Sequence, residues 1–266
     1  MRGEILKFPH VTVAALRKRV IALKPMRFQR FKPTGSWGEA ESKTRGYSEL
    51  TSEVLLEAHP SRGNQDRTIS SAMDLIVIEA FSTALREIDA NQVVRVLDIG
   101  GFDGAYAEVI KNQFPEVEFE WTVVELPVVV NHFATRNDRI SYSPNLQQSL
   151  QTRPDVVFAP AVINYLSNPH EVLESFFNNT KVVILNRLPL WPLTQDQAAI
   201  QTAQRKPFLM QYPVWFFAEA QFLSRVALRS DLLLDFEVAQ DRAYFAGHYS
   251  TYRGLVLHTK PQGAAG

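Results

Sequence analysis

One stretch constrains this chain more than any other: Val-Arg-Val-Leu-Asp-Ile-Gly-Gly-Phe-Asp-Gly, from Val94 to Gly104. An apolar run of strand length ends in an acidic residue, Asp98. A turn carrying Gly100, Gly101 and Gly104 follows, and a helical pattern opens at Ala105 and runs to Gln113. A strand feeding a helix through a glycine turn is the start of a βαβ unit. Such units build parallel sheets with right-handed crossovers and helices on both faces. In open α/β sheets, ligands bind in the crevice beyond the carboxyl ends of the strands. Glycine lets backbone approach a ligand there, and the helix N-terminus turns free N–H groups toward it.

The remainder of the chain agrees with that architecture. Strands are expected over Val93–Leu97, Trp121–Val124, Arg139–Tyr142, Asp155–Phe158 and Val182–Leu185, with helical patterns between most of them, such as Pro169–Phe177. Trp215–Leu228 reads as an amphipathic helix. Phe236–Gln240 and Gly254–His258 read as two strands joined by a polar turn, an antiparallel pair that would finish the sheet. Before residue 90 the pattern is helical: Val11–Leu23, Ser48–Ala58, and Ser70–Ile88 with apolar residues at three- and four-residue spacing. Lys32–Trp37 and Ser61–Asn64 read as loops. The expected organisation is a helical N-terminal segment over 1–89, a ligand-binding α/β domain over 90–260 and a flexible tail over 261–266.

Composition removes several functions. There is no cysteine, which excludes disulfides, zinc–thiolate sites and cysteine nucleophiles. Lysine plus arginine equals aspartate plus glutamate, so the chain lacks the basic excess of a dedicated nucleic-acid binder. The balance hides a basic start, where Arg17, Lys18 and Arg19 belong to a group of nine cations opposed only by Glu4. That group suits a solvated helix face, or peripheral contact with an anionic membrane surface. No run reaches the roughly 20 apolar residues needed to span a bilayer, and no secretory signal is evident, so a cytoplasmic protein is expected. Neither H-E-x-x-H nor G-x-S-x-G occurs, leaving metalloprotease and serine-hydrolase readings without support, and no metal is expected.

The position of Asp98 separates the glycine loop from a dinucleotide loop. A carboxylate before the first glycine would repel a pyrophosphate, but it suits the ammonium of a methionyl group. The spacing Gly100-x-x-x-Gly104 also lacks the middle glycine of G-x-G-x-x-G. Glu125 ends the next strand, where an acidic residue can accept hydrogen bonds from both hydroxyls of a ribose.

These residues resemble class I S-adenosylmethionine-dependent methyltransferases. Val96–Gly104 looks like their first motif, Val123-Val-Glu125 like their ribose-binding strand end, and Asp155–Ala159 with Tyr165–Pro169 like their fourth-strand segment. More narrowly, the chain is similar to a family of bacterial methyltransferases associated with surface-polysaccharide biosynthesis. Trp37, Gly46-Tyr47, Gly100-Gly101 and Gln211–Phe217 carry that likeness, which spans roughly Trp37 to His258. The resemblance implies a Rossmann-like seven-stranded, mainly parallel sheet with the last strand antiparallel. It also implies S-adenosylmethionine as cofactor, held by Asp98, Gly100, Gly101, Phe102, Gly104, Glu125, Leu126 and Ala159. Phe102 departs from the common pattern, which has glycine there.

On that fold, the turn before the last strand and the end of the fifth strand share the ligand edge. They nominate His248 as a general base, with Tyr249, Asn186 and Arg187 beside it, and Ala159–Asn164 next to the methionine site. Tyr212, Trp215, Phe216 and Phe217 suit either an acceptor pocket or core. The expected reaction is methyl transfer to a hydroxyl or amine of a small molecule, in particular a sugar or glycan intermediate. The alternatives are a non-catalytic binding protein on the same fold and an NAD(P)-dependent oxidoreductase.

Overall fold

The computed structural model describes residues 30–44, 72–89, 92–135, 139–205 and 208–261. The helices expected over Val11–Leu23 and Ser48–Ala58, the loop at Ser61–Asn64, the cations at Arg17–Arg19 and tail residues 262–266 lie outside them.

The main sheet has seven strands: β2 (Val94–Ile99), β3 (Phe119–Val124), β4 (Ser141–Ser143), β5 (Val156–Pro160), β6 (Val182–Leu188), β10 (Ser230–Phe245) and β11 (His248–Thr259). Their order is β10-β11-β6-β5-β2-β3-β4. β2 through β6 pair in parallel, and β11 is antiparallel to both neighbours. Strand order reverses beside β2, which places a crevice beyond its carboxyl end. The central strands are apolar on both faces because helices cover both. On one side Val96, Phe158, Ile184 and Val256 pack with Phe81 and Ala84 of the helix α2 (Ala72–Leu85) and Ile110 of α3 (Ala105–Gln113). On the other, Leu97, Val157, Val183 and Leu255 pack with Phe176 of α6 (Pro169–Asn179) and Phe222 of α7 (Glu219–Arg229). Two shorter helices, α4 (Pro127–Phe133) and α5 (Leu146–Gln151), complete the crossovers.

A second, four-stranded sheet sits at the carboxyl edge, in the order β1-β8-β9-β7: β1 (Arg30–Pro33), β8 (Gln197–Arg205), β9 (Phe208–Ala218) and β7 (Leu190–Trp191). It corrects three expectations. Trp215–Ala218 is strand rather than helix, and α7 begins only at Glu219. Part of the stretch read as a loop from Lys32 is β1, paired antiparallel with β8, and Trp37 starts the short helix α1 (Trp37–Ser42). The closing pair is also far longer than expected. Beyond Arg253, the last residue of β11 paired with β6, the β10–β11 hairpin runs on to pack on the second sheet. There Phe245 stacks on Phe216 with ring centroids 3.8 Å apart, and Phe31 meets both rings edge-on.

Candidate active site

The β2–α3 turn is a tight one. Gly100 donates its N–H to the Val124 carbonyl (2.8 Å), and Gly104 to that of Gly101 (2.9 Å). Gly100 and Gly104 hold φ of +73° and +69°, where side chains are strained. A Cβ on Gly104 would lie 2.5 Å from Ile140 Cδ1, and one on Gly101 would lie 2.3 Å from an Asp98 carboxylate oxygen. The glycines are therefore a packing requirement of the loop as well as a conformational one. Phe102 also has a positive φ, 51°. Its ring turns toward α4 and meets Phe133 edge-on at 5.1 Å. The residue that departs from the common pattern thus joins a small cluster with Val129, Phe133, Leu126 and Tyr142.

Asp98 is fully buried. Its Oδ2 accepts a hydrogen bond from the Trp121 indole N–H (3.2 Å), and its Oδ1 has no partner. Burial, first, and the nearby Glu125 and Asp103 carboxylates push its pKa up to about 8, against the opposing effect of the Trp121 bond. Glu125 ends β3. Its carboxylate accepts from the Leu126 N–H (2.8 Å) and from the Phe102 backbone N–H, and burial raises its pKa. The hydroxyl of Tyr142, the middle residue of β4, is buried without a partner. Burial and the three neighbouring carboxylates raise its pKa above the ordinary tyrosine range.

On the other side of β2, Ala159 is buried in β5. A 3₁₀ turn over Ile163–Tyr165 follows it. Asn164 is 1% exposed, yet neither its Oδ1 nor its Nδ2 has a partner. Asn186 stands level with Pro160 on β6 and accepts the Ala161 N–H at its own carbonyl (2.8 Å). Its side-chain Nδ2 points at Met73 Sδ (3.4 Å), while its Oδ1 is buried without a partner. Arg187 follows with φ +59°. Buried amide and hydroxyl groups are normally satisfied, and each one left open costs about 1–3 kcal/mol. Asp98, Tyr142, Asn164 and Asn186, on or beside four strands of one sheet, carry buried polar atoms without a partner and form the candidate site.

The two sides of this edge bring most of the expected residues together. Asp98, Gly100, Gly101, Phe102, Gly104, Glu125 and Leu126 line the turn region, and Ala159 and Asn186 stand across β5. His248 and Tyr249 are placed differently: both are exposed on the tip of the β10–β11 hairpin, where the His248 carbonyl accepts from the Trp191 indole (3.5 Å). Sequence reasoning missed Trp121 and Tyr142 as site residues. An aromatic with a polar atom inside each of the next two strands is the one signal that could have found them.

The residues fit the cofactor that the motif implies. A side-chain-free loop, a buried carboxylate with an open oxygen and a second carboxylate one strand away suit an ammonium and a ribose in turn. The chain matches the model of the O-methyltransferase domain over residues 39–150. It is similar to the solved glycopeptide N-methyltransferase MtfA complexed with sinefungin, at 18% identity over 79% of this chain and 96% of that one, TM-score 0.47. It is also similar to the CcbJ methyltransferase from Streptomyces caelestis, at 14% identity over 69% and 96%, TM-score 0.45. For the plantazolicin methyltransferase BpumL the figures are 19% over 42% and 46%, TM-score 0.35, so the chain spans just under half of that protein. None of the curated proteins compared with the chain matches it. Strand order and the loop are those of a class I, Rossmann-like methyltransferase fold. Over residues 39–150 the chain matches an O-methyltransferase domain, and the loop, Asp98 and Glu125 fit S-adenosylmethionine as a ligand.

Proposed function

We propose that the protein methylates a hydroxyl group of a small polar acceptor, a sugar or glycan intermediate, at the crevice between the glycine loop and the second sheet. The observation that carries this is Asn164: a neutral amide, 1% exposed, with its donor and its acceptor both open. A hydroxyl can give a hydrogen bond to Oδ1 and take one from Nδ2, and so can the next hydroxyl of a polyol. Asn186 Oδ1 adds a second open acceptor. The O-methyltransferase description of residues 39–150 supports a hydroxyl over an amine. The resemblance to methyltransferases associated with surface polysaccharides supports a sugar.

In this reading Asp98, Gly100, Gly101, Gly104, Glu125 and Leu126 would hold S-adenosylmethionine, with Phe102 and Ala159 beside it. When bound, that cofactor supplies an electrophilic methyl on a sulfonium. The protein's part is alignment and exclusion of water. Asn164 and Asn186 orient the acceptor oxygen, and Tyr165 braces the roof by donating its hydroxyl to Gln201 Oε1 (2.9 Å). Arg187 sits beside Asn186 at the same edge. His248 and Tyr249 stand at the rim, where His248 would take the acceptor proton only after it has left the crevice.

The test is methyl transfer from labelled S-adenosylmethionine to matched panels of free sugars, nucleotide sugars, phenols and primary amines. Turnover is expected with sugar hydroxyls. Asn164→Ala should lower kcat/KM by about 100-fold with S-adenosylhomocysteine affinity unchanged, and His248→Ala by less than about three-fold. Turnover confined to amines, or an Asn164→Ala enzyme of full activity, would overturn the proposal.

A further inference from the structure

Trp37 and Trp215, 178 positions apart in the sequence, are stacked with ring centroids 5.5 Å apart and planes 17° from parallel. They line a cavity of about 480 Å³, together with Thr34, Ser36, Thr194 and Asp196. This is within the size range of small-molecule sites. It is not part of the crevice described above. Trp215 pairs with Ala198, whereas Tyr212 pairs with Gln201, three residues away on the same strand and so on the other face of β9. Trp215 packs against the cluster holding Phe217, while Val214 and Phe216 point toward the hairpin.

Three properties of the cavity indicate what fits it. Its indole N–H groups, on Trp37 and Trp215, are both buried and have no hydrogen-bond partner. Two buried donors without partners on the residues that line the cavity call for acceptor oxygens. Its rim is rich in hydroxyl and amide groups, from Thr34, Ser36, Thr194, Gln195 and Gln197. No lysine or arginine lines it among the described residues, so phosphate and carboxylate ligands find no counter-charge there. The one carboxylate, Asp196, is already engaged by His170 Nε2 (2.5 Å) and by the Ala218 N–H (2.8 Å), which leaves no demand for a cation. Aromatic rings, unpartnered N–H donors, a hydroxyl-rich rim and balanced charge are the complement of a neutral pyranose, which has apolar C–H faces and a girdle of oxygens. We propose that this cavity is a second ligand site of the protein and that it binds a neutral sugar ring.

The inference does not depend on methyl transfer, and its test separates the two sites. The chain has four tryptophans, each with an indole N–H that an ¹⁵N-labelled sample reports separately. Trp121 is bonded to Asp98 and Trp191 to the His248 carbonyl, so those two report on the rest of the molecule. The probes are methyl glucoside, methyl galactoside, methyl mannoside and the N-acetylglucosamine glycoside, with glycerol as a control. At least one pyranoside should move the Trp37 and Trp215 signals on a saturable curve, with a Kd on the order of 1 mM, and leave Trp121 in place. Trp37→Phe and Trp215→Phe assign the signals. Thr194→Val, which removes a rim hydroxyl without touching the stack, should weaken binding at least three-fold. S-adenosylhomocysteine should move Trp121 instead. Absence of any saturable shift at Trp37 and Trp215 with all four pyranosides, or an equal response to glycerol, would overturn the assignment.

Discussion

Asp98 is buried with one carboxylate oxygen on the Trp121 indole and the other open, and it answers to pH in a way that can be measured. Its ordinary pKa near 4 governs the unfolded chain, and burial raises it to about 8 in the folded one. Between those values the folded protein holds a proton that the unfolded chain has released. Stability is therefore lost as pH rises through that window, by up to ~1.4 kcal/mol per pH unit. Asp98→Asn removes the charge, so it should be more stable than the parent at pH 8, with the difference shrinking toward pH 5. Urea unfolding at four pH values checks this, and a difference independent of pH would contradict it. A ligand ammonium favours the ionised form, so S-adenosylhomocysteine affinity should strengthen from pH 6 to pH 8 in the parent. Gly101→Ala should cost about 100-fold in that affinity, because its methyl would fall 2.3 Å from the pinned carboxylate. Gly38→Ala, with nothing within 4 Å of the added carbon, should leave it unchanged. Asp98, Gly100, Gly104 and Glu125 are legible in the sequence because their setting is local: a strand end, a turn and a helix start. Trp121, Tyr142 and the Trp37–Trp215 stack are not, because open polar atoms and ring contacts exist only after distant strands meet.

Among the elements, the parallel strands and their crossover helices follow from apolar runs and punctuation, but β9 does not. Its apolar residues at 214–218 serve two cores at once. Phe217 and Trp215 face the main domain, while Val214 and Phe216 face the hairpin. A strand buried on both faces loses its alternation and reads as part of the helix that follows it. β1 escapes notice for another reason. Pro33 marks a loop in most contexts, yet here it ends an edge strand, where no ladder partner needs its missing N–H. The ring stack of Phe216 on Phe245, with Phe31 and Trp191 edge-on, ties the second sheet to the β10–β11 hairpin. Phe216 is fully buried, so Phe216→Ala should cost about 3–5 kcal/mol in chemical unfolding. The variant should still bind S-adenosylhomocysteine within about three-fold of the parent, because the described ring partners of Phe216 are Phe31, Trp191 and Phe245, all outside the glycine loop. A loss of cofactor affinity as large as the loss of stability would mean that the second sheet shapes the glycine loop directly.

At the scale of the molecule, the two sheets are separate ladders joined by shared elements. β6 runs into β7 across a single intervening residue, and the hairpin belongs to the main sheet through Arg253–His258 and to the second sheet's core through Phe245 and Tyr252. Such sharing makes independent unfolding of either sheet expensive, because the hairpin would have to break its pairing with β6 or abandon its aromatic core. One cooperative thermal transition is therefore expected. Cofactor binding at the β2 edge should then stabilise the second sheet along with the first. At a ligand concentration 100 times Kd, S-adenosylhomocysteine adds about 2.7 kcal/mol, which for a chain of this size raises Tm by about 5–10 °C. NAD at the same concentration should leave Tm in place, since a carboxylate before the first glycine would repel a pyrophosphate, and Asp98→Ala should abolish the S-adenosylhomocysteine shift. Calorimetric scans with each ligand read all of this at once. A single peak that moves as a whole fits a molecule in which the second sheet and the main sheet fold together. Two peaks, of which only one moves, would make the second sheet a separable unit whose folding is independent of cofactor occupancy.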